Sequence, residues 1–182
     1  MPNKEIVPVK YVLVSAPGAS ALKNWCESMG HENLLGEKAV KHFRDDGYNC
    51  SQSVLLTMFE HWNCEDELVP KVATAFGGGM GRCGSVCGAV TGGLMAIGIR
   101  YGTNEPSAEK RSRASELARR FYRRFEKQNG SVMCRELIGL DLSNAKQLRK
   151  ANEDDVFEEK CTVFVKKAVE ILAALGRNAK SF

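Results

Sequence analysis

Hydrophobic residues recur three or four positions apart from about residue 18 to residue 175, a spacing that is typical of amphipathic helices. Asn49 with Gln52, and Asp155 with Glu158, have the spacing of capping boxes, which mark helix starts. Glycines after the hydrophobic runs mark helix ends. These signals predict helices over residues 49–62, 66–76, 85–101, 107–128, 131–139 and 154–175. We therefore expect an all-α fold, a compact bundle of about six or seven helices with short connections.

Two segments interrupt the helical pattern. Residues 77–84 are rich in glycine and predict a loop. Residues 1–16 carry β-branched and aromatic residues punctuated by proline, which predicts a short extended arm. A lone strand needs a partner, and a second copy of the chain would provide one, so we expect a homodimer. We divide the chain into an N-terminal extension, residues 1–35, with the arm and a short helix, and a cysteine-motif helical domain, residues 36–182.

Charge and hydropathy argue against two classes of partner. The net charge of +4 over 182 residues is small for a nucleic-acid-binding protein, so we expect no nucleic-acid partner. The arginines of residues 107–128 are interspersed with glutamates, which is typical of a solvated helix face. The longest uncharged run, residues 83–99, is diluted by glycine, so we expect no membrane insertion.

Seven cysteines are an unusual number for a chain of this length. The odd count argues against a fully paired extracellular framework, and we expect a cytoplasmic protein with reduced thiols. The absence of any C-x-x-C pair disfavours thioredoxin-like exchange and zinc-ribbon sites. Cys50, Cys87 and Cys134 fall in the first turn of predicted helices, and Cys161 lies about one turn into its helix. Because helix N-termini favour thiolates, we expect oriented amides to keep these sulfurs ionised.

Several glycines near these cysteines are candidates for cofactor binding. Residues 79–84 formally match G-x-G-x-x-G, but no strand precedes them, so we do not expect a dinucleotide site. The backbone amides of Gly79 and Gly81 are instead candidates to hold an anion or the sulfurs of a cluster. Gly88 lies four residues before Gly92, a spacing that lets another helix or a bound group approach closely.

The order of the cysteines carries a resemblance. Cys50, the segment Cys87-Gly88-Ala89-Val90-Thr91-Gly92, Cys134 and Cys161 together resemble the family of redox-active proteins named for its C–GCAxxG–C–C motif. This chain reads Cys-Gly-Ala where that name reads Gly-Cys-Ala. The likeness covers about residues 36–175. It implies that these four cysteines are the functional set and that their role is in redox chemistry or cluster binding, without implying a substrate. Three further cysteines are additional to the set: Cys26, Cys64 and Cys83.

Our leading hypothesis is an electron-transfer protein in which Cys50, Cys87, Cys134 and Cys161 bind an iron–sulfur cluster and exchange electrons with a redox partner protein. Cys83 is a candidate fifth ligand or resolving thiol. Three alternatives stay open: a dithiol/disulfide relay in which two of the four are the redox thiols, a protein that binds or traffics Zn or Cu(I), and a non-catalytic helical interaction domain. We recognise no substrate site, so whether the protein is an enzyme stays open.

Overall fold

A computed structural model of the protein describes residues 30–178, and its architecture there is all-α, as predicted. The described part contains eight numbered helices, slightly more than predicted. They are α1 (His31–Arg44), α2 (Cys50–His61), α3 (Leu68–Ala73), α4 (Gly88–Tyr101), α5 (Ala108–Asn129), α6 (Cys134–Ile138), α7 (Ala145–Glu153) and α8 (Thr162–Asn178). The predicted extended arm and Cys26 lie outside the described residues. Helix α1 runs across position 35, and the division of the chain into extension and domain stays a prediction.

The central packing brings α2, α4 and α8 together. Helix α8 lies along α1 and also contacts α2, α4 and α5, while α2 packs closely on α4. Gly92 makes the last contact close, since a Cβ there would lie 2.4 Å from the carbonyl oxygen of Ser51. Phe121 and Phe125 of α5 are fully buried in this main core. A second, smaller hydrophobic cluster lies under α6 and α7.

The region between α3 and α4 consists of short turns. A 3₁₀ turn, Thr74–Phe76, follows α3 directly and leads into one irregular helical turn, Gly77–Met80. Gly78 and Gly79 have φ values of 64° and 72°, which other residues rarely adopt. The predicted glycine-rich loop is therefore a compact, left-handed turn that reverses the chain before α4.

Three helix starts differ from those predicted. Helix α4 begins at Gly88 and not at Ser85, because residues before it pair with the segment that precedes α6 in a single antiparallel bridge, Val86 with Met133. Met133, not Ser131, is the N-cap of α6. The capping box predicted at Asp155 does not form, since Asp155 has φ of 51° and a π-helical segment, Phe157–Cys161, precedes α8.

Other boundaries follow the local signals. The capping box of Asn49 and Gln52 begins α2, and Ser107 accepts a hydrogen bond from the Lys110 amide at the start of α5. Gly130 ends α5 in the left-handed conformation. No helix within residues 30–178 has the length and hydrophobicity needed to cross a membrane.

Candidate thiol site

All four cysteines of the predicted set line one cavity of about 650 Å³. Cys50 and Cys87 belong to the main hydrophobic core, whereas Cys134 belongs to the second cluster and Cys161 packs against it. The cavity therefore lies where the two clusters meet. The first three cysteines are buried and Cys161 is half-buried.

Four different elements deliver these sulfurs. Cys50 is the first residue of α2, Cys87 is the N-cap of α4, Cys134 is the first residue of α6, and Cys161 ends the π-helical segment. Two backbone hydrogen bonds connect the segments that carry Cys87 and Cys134. The Cys87 amide donates to the Val132 carbonyl at 2.8 Å, and the Cys134 amide donates to the Ser85 carbonyl at 2.7 Å. These bonds hold the two chain segments side by side.

The capping box at Asn49 fixes the position of Cys50. The Asn49 side-chain oxygen accepts from the amides of Ser51 and Gln52 at 3.0 and 3.1 Å, and the Gln52 side chain accepts from the Asn49 amide at 3.1 Å. The Asn49 side-chain amide also donates to the Thr74 carbonyl at 2.9 Å. The start of α2 is thus attached to the 3₁₀ turn that leads into the glycine turn.

Lys160 attaches the segment that carries Cys161 to α6, the helix that carries Cys134. The Lys160 ammonium donates to the carbonyl of Ile138, the last residue of α6, at 2.9 Å. On the other side, Arg44 of α1 forms a 2.6 Å ion pair with Glu158. The π-helical segment that carries Cys161 is therefore held between α1 and α6.

Two of the three predicted glycines lie directly against cysteines. A Cβ at Gly88 would lie 2.3 Å from the Cys50 sulfur, so only glycine leaves room for that sulfur. A Cβ at Gly79 would lie 2.7 Å from the Cβ of Cys134, and the positive φ there also favours glycine. Gly81 lines the cavity. A cofactor-binding role for these glycines stays a prediction.

Burial raises the pKa of every thiol in the cavity. The pKa of Cys134 rises to about 12, and those of Cys87 and Cys161 also rise strongly, first through burial and then through the neighbouring Cys50 thiol. For Cys50, burial outweighs the backbone amides, among them that of Gly78, which lower the pKa of this thiol. For the protein without a bound metal, the expectation that helix amides keep these sulfurs ionised is therefore wrong, because desolvation is the larger effect.

The remaining described cysteines lie elsewhere. Cys83 is exposed and does not line the cavity, so the geometry gives it no support as a fifth ligand or resolving thiol. The half-buried Cys64 thiol donates a weak hydrogen bond to the Trp62 carbonyl at 3.5 Å. All six cysteines within residues 30–178 are free thiols.

The thiols surround the cavity without converging on one point. Within residues 30–178, no group of three or more His, Cys, Asp or Glu side chains is placed to hold a metal ion. Four sulfurs bound to one zinc ion would lie about 3.8 Å apart, as follows from a Zn–S bond of about 2.3 Å and tetrahedral geometry. The side chains within residues 30–178 do not form such a group as placed.

Sequence reasoning missed several polar residues that line the cavity. They are Tyr48, Arg82, Asn152 and Glu158. Arg82 has φ of 69° and directly follows the glycine turn. The glycine cluster in the sequence could therefore have indicated that Arg82 lies close to the site. Asn152 lies on α7, a helix with few hydrophobic residues that the hydrophobic pattern did not predict. Glu158 was assigned to a capping box, whereas it pairs with Arg44.

Comparison with known proteins identifies the family. The family model described as "Putative redox-active protein (C_GCAxxG_C_C)" matches residues 48–175, a range that contains all four cavity cysteines and most of the chain. The chain belongs to this family. An uncharacterized protein from Archaeoglobus fulgidus is 28% identical over 144 residues, an alignment that covers 73% of this chain and 87% of the relative. No solved structure matches the chain.

Proposed function

We propose that this family member is an electron-transfer protein that holds an iron–sulfur cluster through Cys50, Cys87, Cys134 and Cys161. The observation that carries the proposal is that four thiols from four separate elements, spread from position 50 to position 161, line one cavity. Buried cysteine behaves as a small hydrophobic residue wherever it lies. A purely structural role therefore gives no reason for four thiols to share one cavity.

The donor set suits iron. Thiolates are the usual ligands of iron–sulfur clusters, and four cysteine side chains line this cavity. The raised pKa values of the thiols are compatible with this role, because metal ligation displaces thiol protons. Each thiol that becomes a ligand then releases one proton, so loading is expected to be favoured by higher pH.

The surroundings of the thiols suit control of a redox centre. The backbone amides of Gly78, Ser51 and Gly88 lower the pKa of the Cys50 thiol. Apolar side chains such as Leu142 and Phe164 form much of the cavity wall. Hydrogen bonds to ligand sulfur and exclusion of water are two of the main determinants of cluster potential. When bound, such a cluster supplies one-electron oxidation and reduction.

Anaerobic reconstitution with ferrous iron and sulfide tests the proposal. We expect a brown protein with sulfur-to-iron charge-transfer absorbance and stoichiometric iron and sulfide. Single Cys→Ser changes at positions 50, 87, 134 and 161 should each abolish or strongly reduce cluster retention. Cys64→Ser and Cys83→Ser are matched controls, because both thiols lie outside the cavity lining, and they should retain the cluster. Stoichiometric zinc with no affinity for iron would contradict the proposal.

A disulfide relay is the second candidate, and the relation between Cys50 and Cys87 favours it. The Cys50 sulfur lies against Gly88, the residue after Cys87. In such a relay these two thiols would form an S–S bond and pass two electrons and two protons to an oxidised dithiol or quinone partner. Mild oxidation of metal-free protein should then reduce the free-thiol count by two, and Cys50→Ser should prevent this.

A further inference from the structure

Positive charge is concentrated on one helix. Helix α5 contains eight basic and three acidic residues, a net charge of +5, against +4 for the whole chain. The rest of the protein is therefore close to neutral. Most of the excess positive charge lies in the second half of α5, where five basic residues occur with one acidic residue, Glu126. We call these five the basic face: Arg119, Arg120, Arg123, Arg124 and Lys127.

Within residues 30–178, the basic face is open to an external partner. Four of its side chains are exposed and Arg120 is half-buried. None of the five forms an ion pair or a side-chain hydrogen bond with any residue between positions 30 and 178, although ion pairs are common elsewhere on the surface. The five residues extend along about 12 Å of helix, which is the scale of a small patch on a partner.

Aromatic rings connect this helix to the thiol cavity. Phe121 and Phe125 occupy the buried side of the same turns, with ring centroids 6.4 Å apart. The Phe125 ring lies 6.4 Å from that of Phe164, which lines the cavity. These ring contacts run from the buried side of α5 to Phe164 of α8 at the cavity wall.

We infer that the basic face is the docking surface for the acidic patch of an electron-transfer partner protein. The inference rests on the proposed function, which requires such a partner. On docking, one electron would pass from the partner's reduced centre to the oxidised cluster of this chain, so that the partner is oxidised by one electron and no bond is formed or broken. Phe125 and Phe164 connect the buried side of α5 to the cavity wall.

A protein partner fits the basic face better than RNA. Single-stranded RNA is usually bound by positive charge together with exposed aromatic rings on which bases stack. Of the three aromatic residues in this half of α5, Phe121 and Phe125 are instead fully buried, and Tyr122 is half-buried against the main core. The near-neutral net charge of the rest of the chain also adds little overall attraction for a phosphate backbone.

Binding of a strongly acidic [2Fe–2S] ferredoxin, with an acidic flavodoxin as a second probe, tests the inference at about 20 mM salt, where surface charges are weakly screened. We expect binding that weakens steeply with added salt. Arg119→Gln/Arg123→Gln should lower the affinity about tenfold, since each exposed charge pair contributes a few-fold. Lys146→Gln/Arg149→Gln removes the same charge from exposed positions on α7 and should change the affinity by less than about twofold.

Three outcomes would overturn the inference. The first is that neither probe binds at low salt. The second is an equal loss of affinity in both double variants. The third is that a 20-nucleotide single-stranded RNA binds more tightly than either probe and that this binding depends on Arg119. Binding is measured on protein with and without iron. A protein that binds the probes through the basic face but never retains a cluster would contradict the proposed function alone. A cluster-loaded protein that binds neither probe would contradict only the docking surface.

Discussion

The thiols of Cys50 and Cys87 are subject to two opposing effects. Backbone amides near Cys50 stabilise a thiolate, while burial among apolar side chains stabilises the neutral thiol. Burial is the larger effect at all four positions. The sequence indicated the amides, because helix starts can be predicted from caps. It did not indicate the depth of burial, which depends on how distant segments pack.

Gly88→Ala tests the contact between α4 and the Cys50 sulfur. The added methyl group would lie 2.3 Å from that sulfur and 3.2 Å from the Phe76 carbonyl oxygen, so backbone or sulfur must move. We expect a loss of about 1–3 kcal/mol in the free energy of unfolding and a reduced capacity for the cluster. Chemical denaturation and iron content measure the two effects.

Gly98→Ala is the matched control in the same helix. Apart from the neighbouring backbone of α4 itself, no atom within residues 30–178 lies within 4 Å of the Cβ that this change would add. Alanine is the better helix former, so the variant should be more stable by up to about 1 kcal/mol and should bind the cluster normally. Equal effects at positions 88 and 98 would show that the close contact at Gly88 has no special importance.

At the scale of secondary structure, local signals located some cysteines and not others. The capping box at Asn49 and the cap at Ser107 are encoded within four residues, so the starts of α2 and α5 could be predicted. The start of α4 could not, because the pairing of Val86 with Met133 joins segments 47 residues apart in sequence. The π-helical segment before α8 likewise depends on tertiary contacts of Lys160 and Glu158.

Asn49→Ala tests whether the cap positions Cys50. The change removes the acceptor for two amides and the bond to the Thr74 carbonyl, and we expect it to destabilise the protein by about 1–2 kcal/mol. The cluster content should fall more than stability alone explains. Ser107→Ala removes the cap of α5, which carries no cysteine, and should lower stability by about 1 kcal/mol with the cluster retained. Normal cluster content in the Asn49 variant would contradict the positioning role.

At the scale of the whole molecule, the cavity exists because two hydrophobic clusters meet. Hydrophobic periodicity predicted the all-α bundle. It did not predict α7, whose polar sequence packs only Ala151 and Leu148 inward, and therefore it missed one wall of the cavity. The order of the cysteines identified the family, but only the packing of distant segments brings the thiols to one cavity.

The raised thiol pKa values predict how the stability of metal-free protein depends on pH. The Cys134 thiol loses its proton near pH 9 in the unfolded chain and near pH 12 in the folded one. Its stabilising contribution is complete below about pH 9 and is lost as the pH rises toward 12. For each such thiol the free energy of unfolding should fall by up to about 1.4 kcal/mol per pH unit in this window.

Denaturation of metal-free protein at several pH values from 8 to 11 measures this slope. Cys134→Ala removes one of the titrating thiols, so its slope above pH 9 should be less steep than that of the parent protein by up to about 1.4 kcal/mol per pH unit. Identical slopes would show that the thiol is not buried in the folded protein.

The most direct test of the central claim is a crystal structure of the anaerobically prepared protein, with anomalous diffraction recorded at the iron absorption edge. We predict iron peaks inside the cavity, within bonding distance of the sulfurs of Cys50, Cys87, Cys134 and Cys161. A cavity without iron and with these sulfurs out of reach of a common centre, or with a disulfide or a single zinc ion in its place, would contradict the account.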